Sequence, residues 1–354
     1  MIIVFLTFAI TMRNVTIKDI AKELNISIAT VSRALNDKYD IKRETRELVL
    51  KTAMDMGYIP NPMARKLISQ RSNIIGVIIP EFINPFFHQV IFGMEKALSG
   101  TNYQILTASS SEDVEKERER LKLMENNMVE GIVISLVNET KNIDYLQKLI
   151  GKEFPIVLFN RINEELPVPK VVFDDYKYAF FATEHLIDIG CCNIVHFSGP
   201  ERICLSRKRI QGFVDAIKKH RLPFDDSRIV ESGLLVEGGY RCMEALIEAG
   251  DVPDGVFAVN DFAAIGAIKA LRKHHINIPE EVAVIGFTEG VVADLIDPGL
   301  SSVLQPAEEI GIRVAQLILE QIEEGVSNTD KTSVLGGRIN IRGSSDRKKD
   351  NVTL

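Results

Sequence analysis

An arginine fork, two serines and small apolar side chains on the first two turns of a helix suit base-edge recognition, and Ser27-Ile28-Ala29-Thr30-Val31-Ser32-Arg33 has that makeup. Arg33 can meet a guanine edge with two parallel hydrogen bonds. Ser27 is a good N-cap for a helix running through Asn36. On it Val31, Ala34 and Leu35 face inward, while Ile28, Ala29, Ser32 and Arg33 point outward near the N-terminal end.

The elements around this helix follow from local signals. Thr16 starts an earlier helix, and Asp19, three residues on, completes a capping box. Ile17, Ile20, Ala21 and Leu24 share its inner face, leaving Lys18, Lys22 and Glu23 to solvent. Asn25 tolerates a left-handed turn and Ile26 seals the corner, so a helix-turn-helix results. A third amphipathic helix, roughly Glu44 to Met56, turns Leu48, Val49, Thr52, Ala53 and Met56 inward and stops at Gly57. Asn61-Pro62 opens a further segment, Met63 to Ser69, of about two turns. A helix that short is marginal alone in water, so its order must come from outside itself.

Residues 13–73 carry a net charge of +5, whereas the whole chain carries −7. A basic segment on an acidic body concentrates attraction for phosphates at one end. From Ile74 onward the chain alternates strands and helices. I-I-G-V-I-I-P, Y-Q-I-L-T-A, G-I-V-I-S-L, P-I-V-L-F-N, N-I-V-H-F-S-G, G-V-F-A-V-N and V-A-V-I-G-F are short, nearly continuous apolar runs. Parallel strands covered on both faces read this way, and the fold class is α/β with doubly wound sheets behind an all-α headpiece. Neither G-x-G-x-x-G nor a P-loop follows these strands, which disfavours dinucleotide and NTP binding.

These residues carry a resemblance. Residues 15 to 70, from V-T-I-K-D-I-A to N-P-M-A-R-K-L, are similar to the headpiece and hinge of the lac repressor (LacI/GalR) family, and the similarity continues through most of the chain after Ile74. The resemblance implies base reading by Ile28, Ala29 and Arg33, with Thr16, Ser27, Thr30, Ser32 and Asn36 completing the major-groove set. It implies that two hinge helices pair and wedge Leu67 into a minor groove, with Asn61, Ala64 and Arg65 as nearby contacts. The body looks like a two-lobed periplasmic-binding-protein fold, with a small-molecule effector held between the lobes.

Placed by that resemblance, residues 1–12 are an extension, 13–60 the headpiece, 61–73 the hinge, 74–343 the effector domain and 344–354 a polar tail. The first lobe takes about 74–173 and 303–328, the second about 174–302 and 329–343. The lobe crossings then fall near Phe173 to Asp175, Ser301 to Val303 and Asn328 to Ser333, with a helix from Glu308 to Glu323 in the first lobe and a last strand, Arg338 to Ile341, in the second. The matching effector residues are Asn84, Phe86, Phe87, Asn160, Arg161, Arg209, Asn260, Asp261, Thr288 and Gln305. Two depart from the family pattern: Asn160 and Thr288 stand where ribose-type sites place aspartates. Losing two carboxylates while Arg161 and Arg209 stay suits an anionic sugar derivative, the alternative being that Asp261, Glu289 or Asp174 neutralises these arginines and the ligand is a neutral sugar.

Other patterns carry less. Cys191, Cys192, Cys204 and Cys242 form no C-x-x-C pair or metal spacing and suit a reducing cytoplasm. His185 fits a packed helix, and the adjacent His274 and His275 cannot share one helix face, which argues against a metal pair. The apolar start, residues 1–11, is too short to span a bilayer and has no basic flank. No nucleophile-base pattern is present, so neither catalytic residues nor cofactors are expected. The reading is a cytoplasmic, nucleoid-associated homodimer that binds a palindromic operator and answers to a sugar or anionic sugar derivative. A sugar receptor without DNA binding would leave residues 15 to 70 unexplained.

Overall fold

The computed structural model describes residues 15–35, 41–58, 71–326 and 331–347. The chain separates into one unit up to Ser72 and a second from Asn73 onward. Asn36 and the hinge residues Asn61, Ala64, Arg65 and Leu67 lie outside the described residues, as do the first fourteen.

In the first unit, α1 (Ile17–Glu23), α2 (Ile28–Leu35) and α3 (Arg43–Asp55) surround a small core. Asp19 Oδ2 accepts the Thr16 backbone N–H at 2.8 Å and its hydroxyl at 2.7 Å, fixing the start of α1. Asn25 makes the turn in the left-handed region, with φ +52°. The Ser27 hydroxyl then accepts the Thr30 N–H at 3.0 Å and caps α2. Ile20, Ala21, Val31, Ala34, Val49 and Ala53 are buried together. Leu48 corrects the expectation: it is 53% exposed, because the inward stripe of α3 runs through Val49, Ala53 and Met56, and Leu48 sits about 100° away from it.

The second unit holds two six-stranded sheets. The first contains β1 (Ile74–Ile79), β2 (Gln104–Ser109), β3 (Gly131–Ile134), β4 (Ile156–Phe159), β5 (Lys170–Phe173) and β11 (Thr332–Leu335), ordered β11-β5-β4-β3-β1-β2 and parallel throughout. The second contains β6 (Ile194–Ser198), β7 (Ile229–Glu231), β8 (Gly255–Ala258), β9 (Ala283–Phe287), β10 (Ser301–Leu304) and β12 (Arg338–Asn340), ordered β12-β10-β9-β8-β6-β7, with only β12 antiparallel. Helices α4 (Pro85–Leu98), α5 (Val114–Asn126), α6 (Ile143–Ile150) and α11 (Ala307–Glu324) cover the first sheet. Helices α7 (Asp175–Asp188), α8 (Cys204–Lys219), α9 (Val236–Glu248) and α10 (Asp261–Lys273) cover the second. The central strands of each sheet are thus buried on both faces, which is why most of them are apolar nearly end to end. None of the described helices is long and apolar enough to cross a membrane.

Ladder pairing moves two of the expected crossings. Ser301–Leu304 is a strand of the second sheet, so the chain leaves that lobe at Gln305-Pro306 rather than at Ser301 to Val303. Thr332–Leu335 pairs with β5 in the first sheet, so the last crossing falls at Gly336-Gly337, beyond Asn328 to Ser333. The boundary of the polar tail moves as well. Ser344 and Ser345 are buried: the Ser344 hydroxyl donates to the Val284 carbonyl at 2.6 Å, and the Ser345 hydroxyl bonds Ser301 Oγ at 2.7 Å and His185 Nε2 at 2.8 Å. Their polarity satisfies buried backbone and side-chain groups instead of facing solvent.

Candidate nucleic-acid interface and ligand cleft

The capped start of α2 leaves Ile28 44% exposed, with Ala29 and Arg33 also at the surface, while Val31 and Ala34 anchor the helix from beneath. Ser32 and Thr30 are half-buried, and Thr16 and Ser27 are exposed. An apolar pair, a fork of five donors and flanking hydroxyls on the first turns of a rigid helix can contact base methyls, base acceptors and phosphates.

In the second unit a cleft of about 980 Å³ opens between the lobes, at the carboxyl ends of the strands. Asn84, Phe86, Phe87, Asn160, Arg161, Arg209, Asn260, Thr288 and Gln305 all line it. Asp261 does not. It sits under the cleft wall, where Oδ1 accepts the Ser302 hydroxyl at 2.5 Å and Oδ2 accepts the Gly290 N–H at 3.1 Å. Burial pushes its carboxyl up to about 7, against the pull of those two donors.

Several of the lining residues are held by structural work. Asn84 caps α4 by accepting the Phe86 N–H at 3.0 Å. Phe86 meets Phe87 edge-on at 5.3 Å, Phe87 continues to Phe159 in the core of the first lobe, and both rings line the cleft. The Asn260 amide is used at both ends, accepting from Ala263 N at 2.8 Å and donating to Leu234 O at 2.9 Å. Gln305 lines the cleft but is only 4% exposed, and its buried Nε2 has no hydrogen-bond partner among the described residues. Asn160 and Thr288, the two positions that depart from the family pattern, both lie in the left-handed region, at φ +58° and +66°. Asparagine accepts that conformation readily; a β-branched threonine holds it only under strain.

The two arginines are not short of carboxylates. Arg161 is clasped by Glu112 through Nη1–Oε2 and Nη2–Oε1, both at 2.9 Å. Arg209 donates Nε and Nη2 to Asp175 Oδ1 at 2.9 and 2.7 Å, gives Nη1 to the Val259 carbonyl, and lies 3.7 Å over the Phe287 ring. Burial works against both charges of this second pair, raising the Asp175 carboxyl and lowering the Arg209 guanidinium, and their contact offsets it. The expectation that Arg161 and Arg209 await an anionic ligand therefore loses its premise. Glu112 and Asp175 were missed, although each had a signal: Glu112 follows the second strand, and Asp175 sits in F-D-D-Y at the first crossing.

Helix α8 also ties the lobes together beside the cleft. Arg207 pairs with Glu139 at 2.5 Å and Lys208 with Glu164 at 2.7 Å, both acids belonging to the first lobe. The other titratable curiosities are structural: burial pushes the Cys191 thiol up to about 12 and holds the His196 imidazole down to about 3.

Comparison with known proteins gives matches over both units. Residues 16–61 match the family described as bacterial regulatory proteins, lacI family, and residues 72–341 match periplasmic binding proteins and the sugar binding domain of the LacI family. Catabolite control protein A of Priestia megaterium is 33% identical over 88% of this chain and 93% of its own length. The ribose operon repressor of Halalkalibacterium halodurans is 31% identical over 87% and 91%. Among solved structures, a complex of the transcriptional regulator CelR with cellobiose superposes with a TM-score of 0.71 at 25% identity, covering 94% of this chain and all of that one. A lac repressor dimer bound to operator superposes with a TM-score of 0.81 at 19% identity over 94% and 99%, which bears on the fold alone.

Proposed function

The chain belongs to the LacI family of bacterial regulatory proteins and is a ligand-responsive, DNA-binding transcriptional regulator; on that premise we propose that it is a cytoplasmic, homodimeric repressor of carbohydrate genes. Its effector is a sugar bound between the lobes. The observation that carries the sugar reading is the unpartnered Gln305 amide in a wall that also presents Asn84, Asn160, Asn260, Thr288 and the Phe86 ring. A sugar hydroxyl can accept from the Gln305 amide and exchange hydrogen bonds with the polar lining, and the ring face covers the apolar side of a pyranose or furanose. Because Glu112 and Asp175 already neutralise the floor arginines, the floor suits a neutral part of the ligand. Two copies of α2, related by a two-fold axis, would read the halves of a palindromic operator.

Coupling is reciprocal: a sugar that favours one lobe arrangement must change operator affinity by the factor by which operator changes sugar affinity. Operator affinity by fluorescence anisotropy, with and without ribose, glucose or cellobiose, tests this. The expected result is a sugar-dependent shift in the wild type that Gln305→Leu reduces. Sugars that bind in the cleft without moving operator affinity would exclude them as effectors.

A further inference from the structure

Topology assigns the cleft a closed side and an open side. The crossings at Asp174, Gln305-Pro306 and Gly336-Gly337 tie the lobes together beside β5, β10, β11 and β12, whereas β2 and β7 are the free edges of their sheets. The mouth is therefore built from residues that follow β2, from those that follow β7 and its neighbour β6, and from the helices beside them. On that side the cleft wall includes Arg120 and Leu123 of α5 from the first lobe, and Arg202, Leu234 and Leu235 from the second.

The charge of the wall is uneven. Four arginines line the cleft, and two of them are cancelled at the floor by Glu112 and Asp175. Glu81, the remaining lining carboxylate, keeps its charge but is turned onto backbone donors of its own loop, the N–H groups of Ile83 and Asn84. Arg120 spends only its Nε, on the Ser109 carbonyl at 3.1 Å, which pins the guanidinium at the end of β2. Among the described residues neither Arg120 nor Arg202 joins an ion pair. Leu123 and Leu235, 39% and 53% exposed, flank them with apolar surface that would exclude water around a seated ligand. One uncancelled guanidinium from each lobe, facing one cleft whose floor is neutral, is an arrangement for a ligand with charge at its outer end only.

We infer that the effector is a sugar carrying a phosphate or carboxylate at its outer end, with Arg120 and Arg202 clamping that anion across the mouth while the hydroxyl-bearing part lies against Gln305 and Phe86. This deepens the sugar-effector reading and rests on it. It also supplies a lobe-closing force, because an anion shared by guanidinium groups from both lobes favours the arrangement in which both reach it.

Calorimetry on the full-length protein with matched probes tests the inference: glucose against glucose 6-phosphate and glucuronate, and cellobiose against its 6′-phosphate. Charge-assisted bonds from two arginines should make the anionic member of the bound pair tighter by roughly tenfold or more, with a preference that weakens as salt rises. Arg120→Gln and Arg202→Gln should each cut that ratio, and the double variant should bring it close to one; melting temperature and sugar-free operator affinity report on folding. Phosphate tighter than glucuronate would identify the anion as a phosphate, and the reverse as a carboxylate. As a readout that needs no sugar, inorganic phosphate should produce saturable arginine side-chain shifts by NMR that vanish in the two variants and spare Arg161 and Arg209. A neutral sugar bound as tightly as its anionic partner, or no saturable phosphate shift at Arg120 and Arg202, overturns the clamp while leaving the cleft reading intact. Failure of every sugar to move operator affinity, with the phosphate shifts present, overturns the sugar-effector reading instead.

Discussion

Arg161 and Glu112 face each other in a two-armed ion pair, both N–O distances 2.9 Å, that ties the end of β4 to the segment after β2 across the two strands between them. The arginine is nearly buried and the glutamate about a third exposed, so the pair is screened on one side only. Glu117, fully buried one helical turn into α5, has its carboxyl raised by burial, with Arg161 among the groups opposing that rise. Removing the arginine thus strips compensation from two carboxylates at once.

A double-mutant cycle should expose this coupling. Arg161→Leu is expected to cost about 2 kcal/mol or more in urea unfolding, since it leaves a carboxylate without its partner at the cleft floor. Adding Glu112→Leu should return part of that loss. Additive losses from the two single variants would show that the pair contributes no mutual stabilisation.

Arg209 and Asp175 form the deeper pair, 3% and 4% exposed at the side chain. Arg209→Ala should lower stability by about 3 to 5 kcal/mol, because it abandons a buried carboxylate and opens space beside Phe287. Arg209→Lys should recover little, since one ammonium cannot reach both Asp175 and the Val259 carbonyl while stacking on a ring. A variant melting within a degree or two of the wild type would make the residue a ligand contact rather than a brace.

Asp261 gives stability a pH dependence of unusual sign for a carboxylate. Its folded pKa of about 7 lies above the ordinary value, so the folded state holds a proton that the unfolded state has released between about pH 4 and pH 7. Stability from this group therefore falls as pH rises through that window, by at most about 4 kcal/mol at ~1.4 kcal/mol per unit of separation. His196 works the other way. Its folded value of about 3 lies below the ordinary one, so its burial costs stability as pH falls below about 6.5. Asp261→Asn should gain on the wild type steadily from pH 4 to 7 and hold that gain above; a gap independent of pH in denaturant melts would contradict the assignment.

How much of this was legible in the sequence depended on range. Thr16 with Asp19, Asn25 and the Ser27 cap act within a few residues, so the headpiece could be read from spacing alone. The short, nearly continuous apolar runs announced two covered sheets for the same reason. Glu112 and Arg161 are 49 residues apart and Asp175 and Arg209 are 34 apart, and only the strand order brings them together. The crossings slipped because β10 and β11 carry hydroxyl-bearing residues where most of the other strands are apolar. Ser344 and Ser345 misled for a related reason: a serine looks like solvent-facing chain until a buried carbonyl is found beside it.

Arg33 tests the DNA-reading face directly. It stands exposed on a helix held by Val31, Ala34 and the Ser27 cap, so Arg33→Ala should leave the headpiece folded. A bidentate guanine contact is worth about 1 to 3 kcal/mol against the wrong base, and the variant should lose that much on the cognate operator and far less on random DNA. A phosphate contact would instead weaken both DNAs equally and shallow the salt dependence by about one unit of slope. Anisotropy titrations of both DNAs over a range of salt concentrations therefore distinguish a base reader from a positioning cation, and equal losses on the two DNAs would remove Arg33 from the reading set.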